Sequence, residues 1–142
     1  MTETLSPVVA ASRASWRCVQ ANDRQGWLDL MADDVVVEDP IGEAITNPTG
    51  TGVRGKDALA AFYDTNIGPN KLTVTPEATF ASSSPTEIAY ILVLRTEFPN
   101  GFAATVRGVF TYKVNGSGLI SNLRGYWNMD AMTFSRPDEA GN

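Results

Sequence analysis

From Phe102 to Val114 the chain alternates with a period of two. Phe102, Ala104, Val106, Gly108, Phe110, Tyr112 and Val114 fall on one side, while Thr105, Arg107, Thr111 and Lys113 fall on the other. A strand shows successive side chains to opposite faces, so this stretch requires a sheet with one buried and one wetted face. Turn signals bracket it. Pro99-Asn100-Gly101 leads back to a long apolar run over 87–98, and Asn115-Gly116-Ser117-Gly118 leads forward into a strand from Leu119 to about Met129. Three strands joined by tight turns form an antiparallel meander whose apolar face has to be covered.

The N-terminal half supplies the cover. Ser6-Pro7 is a helix start, a hydroxyl cap followed by proline at the first helical position, and Val8, Ala11, Trp16 and Val19 continue at helical spacing to about Asn22. Asp23 is placed to cap a second short helix carrying Trp27, Leu28, Leu30 and Met31. A strand over Val35 to Asp39 follows, then a long Gly/Pro/Thr/Asn-rich loop over 40–55, of the kind that often closes over a cavity. A third helix is expected from about Lys56 to Asn66, with Ala58, Leu59, Phe62 and Tyr63 as its apolar side, and a strand through Leu72, Val74 and Phe80. Helices ahead of a mostly antiparallel sheet make the class α+β. Without a repeat or linker, the 142 residues read as one domain, ending in a loose tail of about eight residues.

Pairing Val114 with Leu119 would set Tyr112 against Ser121, Phe110 against Leu123, Gly108 against Gly125 and Val106 against Trp127. Two facing glycines leave a gap in an apolar face. It either admits a closely packed helix or leaves room for a ligand.

Composition narrows the function. A formal charge of -5 argues against nucleic acid or an anionic membrane as partner. No apolar run approaches the roughly 20 residues of a membrane helix. Met1-Thr2-Glu3-Thr4 carries no signal-peptide pattern, and the lone Cys18, read as a small buried hydrophobe, fits a reducing cytoplasm. The absence of histidine removes the usual Ser-His-Asp and Cys-His centres and most zinc sites. There is no phosphate-binding glycine loop, so neither a metal nor a cofactor is expected.

Proton chemistry must then fall to carboxylates, Tyr, Lys, Cys or water. Val35-Val36-Val37-Glu38-Asp39-Pro40 is the informative segment. Asp39 shares a face with Val35 and Val37, Glu38 with Val36. If the Val35/Val37 face is buried, Asp39 is a carboxyl driven into an apolar interior, with a raised pKa suited to a general base. If this is an edge running into solvent, both acids are hydrated.

Three motifs carry a resemblance. Ala32-Asp33-Asp34 with Val37-Glu38-Asp39-Pro40-Ile41-Gly42, then Ala61-Phe62-Tyr63, then Leu123-Arg124-Gly125-Tyr126-Trp127, resemble the ketosteroid isomerases and their SnoaL-like and nuclear-transport-factor-2-like relatives, over about residues 8–130. The resemblance implies a cone, a curved sheet wrapped around three helices with an apolar cavity, usually in a homodimer. It implies a steroid-like ligand and places the isomerase base at Asp39. Tyr63 matches a tyrosine that supports the oxyanion donors, and Trp127 an aromatic lining the steroid pocket. The two oxyanion donors, a tyrosine and a protonated aspartic acid, fall instead on Ser15, beside Trp16, and on Gly108 or Phe110. Losing one such donor costs on the order of a hundred- to a thousandfold in rate. Ser15, Tyr63, Tyr112, the indoles of Trp16 and Trp127, or a water are the available substitutes. Arg95, Glu97, Arg107 and Arg124 read as a solvated or dimer-facing charge set, so the Asp-Arg-Asp relay of epoxide hydrolases cannot be assembled. Two functions stay open: a cofactor-independent, steroid delta-isomerase-like proton transfer on a steroid-like or polycyclic ketone, or non-catalytic binding of an apolar small molecule.

Overall fold

A computed structural model describes residues 5–137. The Ser6 hydroxyl accepts from the Val9 N–H at 3.4 Å and opens α1 (Pro7–Gln20). The Asp23 carboxylate accepts from the Gly26 N–H at 3.0 Å and opens α2 (Arg24–Asp29). Then follow β1 (Met31–Glu38), β2 (Val53–Arg54), α3 (Lys56–Asn66), β3 (Lys71–Ala81), β4 (Glu87–Glu97), β5 (Ala103–Val114), β6 (Ile120–Tyr126), a single 3-10 turn (Met129–Ala131) and β7 (Thr133–Ser135). The strands form a curved, unclosed sheet in the order β2-β1-β6-β5-β4-β3, with β7 added beside the start of β5. Every pairing is antiparallel except β1 with β6. The helices cover one face of this sheet, and the core between them holds Val8, Val35, Leu59, Leu92, Phe110 and Ile120, each no more than 1% exposed. The expected α+β cone is what the chain forms.

Several boundaries differ from the sequence reading, each for a tertiary reason. Leu30 and Met31 do not extend α2. The Ile120 N–H donates to the Leu30 carbonyl at 2.8 Å and Met31 pairs with Ile120, so β6 takes their backbone and β1 starts early. In β3 a bulge between Pro76 and Ala78 reverses the facing of the strand, leaving Phe80 on the outer surface, 56% exposed. On α3, Ala58 is exposed rather than part of the packed side.

The second hairpin also differs. Val114 pairs with Ile120 but Lys113 with Asn122, so Ser121 is an extra residue and the register beyond it moves. Phe110 therefore faces Gly125, and Tyr112 faces Leu123; Gly108 lies past the last pair of β5 with β6, Val109 with Tyr126. The cause is the turn, where the Asn115 side-chain oxygen accepts from the Ser117 and Leu119 N–H groups at 2.9 and 3.1 Å and widens it. The strand expected to reach Met129 ends at Tyr126. What reads as the beginning of a loose tail is β7, with Ser135 paired to Ala103; residues 1–4 and 138–142 lie outside the described residues. Cys18 is half-buried rather than enclosed. Among the described residues no helix is long and apolar enough to cross a membrane.

Candidate functional site

Asp39 is the first residue past β1, and the chain on both sides of it is tied down. Its backbone carbonyl accepts from the Thr46 hydroxyl, and the Pro40 carbonyl accepts from the Asn47 side-chain amide at 2.9 Å. The Ile41 N–H donates to the Gly125 carbonyl at 3.0 Å. The 40–55 loop thus folds over the end of β1 and holds the peptide that carries the carboxyl.

Val35 and Val37 are 0% and 2% exposed, and the Asp39 side chain follows them inward. Glu38 goes the other way and pairs with Arg124 at 3.2 Å. Burial pushes the Asp39 carboxyl above the usual carboxylate range, and one hydrogen bond pulls it partly back. That bond comes from the Trp127 indole N–H, which donates to Asp39 Oδ1 at 2.7 Å. The two meet over Gly125, where a Cβ would stand 3.0 Å from Asp39 Oδ1, 3.0 Å from Trp127 Nε1 and 3.0 Å from the Phe110 ring. Glycine here keeps an open spot in the sheet that the acid and the indole fill.

Asp39 lines two adjoining spaces between sheet and helices. The deep one, about 70 Å³, is bounded by Ser15, Trp16, Trp27, Phe110, Tyr112 and apolar neighbours. The outer one, about 110 Å³, adds Thr46, Thr96, Trp127 and Met132. Phe62, Ile67, Leu72 and Leu94 line both. A wider mouth of about 290 Å³ continues past Thr46, Asn66 and Met132 to Ile45, Met129 and Phe134. Among the described residues, Asp39 is the only Asp, Glu, Lys or Arg side chain lining the two inner spaces.

At the deep end stands a cluster of rings. Trp16 and Tyr90 meet edge-on with centroids 4.7 Å apart, and Tyr90 and Tyr112 at 5.7 Å. The Trp16 indole N–H donates to Tyr112 Oη at 2.9 Å, and the Tyr90 and Ser12 hydroxyls are 2.6 Å apart. The Tyr112 phenol is driven well above its ordinary pKa, chiefly by burial and also by the charge of Asp39, so it keeps its proton. Tyr90 has the same facing as Leu92 in the apolar run, the one sequence signal that it points inward.

Of the side chains named from the sequence, Asp39, Ser15, Trp16, Phe110, Tyr112 and Trp127 come together around the cavity. Tyr63 does not. Its ring packs on Trp27 at 5.5 Å, and its hydroxyl donates to Asn22 Oδ1 at 3.1 Å, on the helix side of the core. Gly108 lines neither space; a Cβ there would meet the Tyr126 carbonyl at 2.9 Å and Trp127 Cβ at 3.1 Å, so it lets the chain carrying Trp127 cross close to β5. Arg95, Arg107 and Arg124 pair with Glu97, Glu77 and Glu38, and none of them lines the cavity. Phe62 and Leu72 read in the sequence only as apolar packing positions and Thr46 only as a loop residue; the way α3, β3 and the 40–55 loop close around Asp39 makes all three cavity lining.

Residues 12–123 match the model of a family described as a SnoaL-like domain. A delta 5-3-ketosteroid isomerase from Mycobacterium sp. is 82% identical, with a TM-score of 0.92 over 92% of this chain and 100% of that one. The Rv0760c protein of Mycobacterium tuberculosis, solved with estradiol-17beta-hemisuccinate, is 66% identical, with a TM-score of 0.88 over 90% and 98% of the two chains. A computationally designed 17-OHP binder is 60% identical, with a TM-score of 0.90 over 93% and 98%. None of the curated proteins matches the chain.

Proposed function

We propose, for a chain that belongs to the SnoaL-like domain family, that the cavity takes a steroid-like ketone and moves a proton within it, with Asp39 as general base. The observation that carries this reading is a carboxylate in an apolar cavity, raised in pKa by burial and aimed by Trp127. In the reaction Asp39 removes a proton from the carbon between the carbonyl and the double bond. The C–H electron pair passes into a dienolate, and the protonated Asp39 returns the proton to the far carbon of that system. Substrate and product are isomers, and no redox partner or cofactor is consumed. Water exclusion strengthens each polar contact inside the site.

The similar isomerase and the two similar steroid-binding chains support a steroid-like ligand. Ser15, and Gly108 or Phe110, stand where two oxyanion donors are expected, and this favours the second reading, a steroid-binding protein without turnover. The outer face of the sheet, where Phe80 and Tyr126 are 56% and 51% exposed, supports pairing with a second copy as a homodimer, and the lone Cys18 fits a reducing cytoplasm.

The deciding experiment follows conjugation of a Δ5-3-ketosteroid by ultraviolet absorbance. Wild type should turn over, and Asp39→Asn should lose on the order of a hundred- to ten-thousandfold, as expected for a missing base. Equal background rates with intact steroid binding would select the binding protein.

A further inference from the structure

We infer that the Tyr112 hydroxyl is the hydrogen-bond donor that meets the ligand oxygen, at the deep end of the cavity and across from Asp39. The catalytic part of this inference rests on the proposed proton transfer; the binding part does not.

Most of the side-chain protons around the cavity are already committed to protein partners. The Trp127 N–H is held by Asp39 at 2.7 Å and the Tyr63 O–H by Asn22 at 3.1 Å. The Ser15 hydroxyl donates to the Ser12 carbonyl at 2.7 Å, and the Ser12 hydroxyl to the Val8 carbonyl at 2.7 Å. Since Ser12 gives its proton away, Tyr90 is the donor in their 2.6 Å contact. The Trp16 N–H donates to Tyr112 Oη at 2.9 Å. That contact occupies the oxygen of Tyr112 and leaves its proton free to turn. The polar neighbour beside it is the Ser15 hydroxyl, a neutral group that a negatively charged ligand oxygen readily outcompetes as an acceptor.

Position agrees with this. Phe110 faces Gly125, the level at which the Asp39 carboxyl sits. Tyr112 projects from the same face of β5 two residues along, about 7 Å further along the strand, and the Asp39 and Tyr112 side chains both line the deep space. A ketone ring lying between them presents its reactive carbons to Asp39 and its oxygen to Tyr112. As Asp39 takes up the proton its charge disappears, and the same negative charge arises on the ligand oxygen beside Tyr112. No proton leaves Tyr112 in this step; it contributes a hydrogen bond that strengthens as the charge arrives. Trp16 acts through Tyr112 as a positioning residue, because its N–H fixes the phenol oxygen and polarises the O–H.

The test compares 17β-estradiol with its 3-deoxy counterpart, which lacks the phenolic oxygen, in the full chain carrying Tyr112→Phe, Trp16→Phe or Trp27→Phe. Trp27 is included because it lines the same space and carries the alternative N–H donor. Tyr112→Phe should weaken estradiol about tenfold while leaving the deoxy steroid unchanged. Trp16→Phe should move the same ratio in the same direction by less. With a Δ5-3-ketosteroid, Tyr112→Phe should lower kcat on the order of a hundred- to a thousandfold with little change in KM. Equal weakening of both ligands by Tyr112→Phe, or loss of the ratio in Trp27→Phe instead, overturns the inference. A wild type that binds but does not turn over ends the isomerase reading, and the affinity ratio still decides the role of Tyr112.

Discussion

The Trp127 indole donates its N–H to Asp39 Oδ1 at 2.7 Å, across 88 positions of sequence. Trp127 lies just past the end of β6 and Asp39 just past the end of β1, and these two strands run parallel side by side. The parallel pairing brings both exits to the same end of the sheet, above Gly125. One indole therefore sets both the direction and the basicity of the carboxylate.

Replacing Trp127 with Phe keeps a ring but removes the bond that favours the charged carboxylate. The Asp39 pKa, already raised by burial, should rise further. The base works deprotonated, so the acid limb of kcat/KM against pH should move to higher pH. A pH–rate profile of wild type and variant checks this; an unmoved limb means the indole does not tune the base.

Asp39→Asn should stabilise the fold near neutrality. A carboxyl whose pKa is raised on folding binds more protons folded than unfolded, so its contribution to stability falls as pH rises from its ordinary value of 3.8 through its folded value. Asn keeps an oxygen for the indole and carries no charge to desolvate. Thermal unfolding should give a higher Tm for the variant at pH 7–8, with the gap closing toward about pH 4.

Gly125→Ala should damage the site more than the fold. The added methyl would lie 3.0 Å from Asp39 Oδ1, Trp127 Nε1 and the Phe110 ring, so the acid and indole must part. Overpacking of this kind costs about 1–3 kcal/mol. Denaturant melts should show that loss, while ketosteroid turnover falls far more than the shift in stability accounts for.

Tyr63→Phe separates packing from chemistry. The hydroxyl it loses bonds to Asn22, away from the cavity, so kcat and KM should be unchanged. Stability should drop by about 1 kcal/mol for one lost hydrogen bond. A selective loss of turnover would return Tyr63 to the site.

Much of this was legible from local pattern. The alternation through β5 and its flanking turns specifies an antiparallel sheet with a covered face, because side-chain direction in a strand depends only on parity. The same parity puts Asp39 with Val35 and Val37, and the buried valines settle between the two readings of that acid. Local pattern fails where one residue is added. The bulges in β3 and at Ser121 leave hydrophobicity unchanged yet redirect Phe80 and move Phe110, in place of Gly108, opposite Gly125.

The sequence by itself determined the α+β class of this chain, and its resemblance to a known family pointed to the cone and to Asp39 as the candidate base. Which candidate donors are already committed to protein partners was decided only by tertiary structure. Ser15, Trp16, Tyr63, Tyr112 and Trp127 are equally capable of donating as residue types. Their protons are allotted by partners up to 96 positions away, such as Trp16 with Tyr112. A hydrogen bond depends on distance and direction between groups, and neither exists until the sheet has closed over the helices.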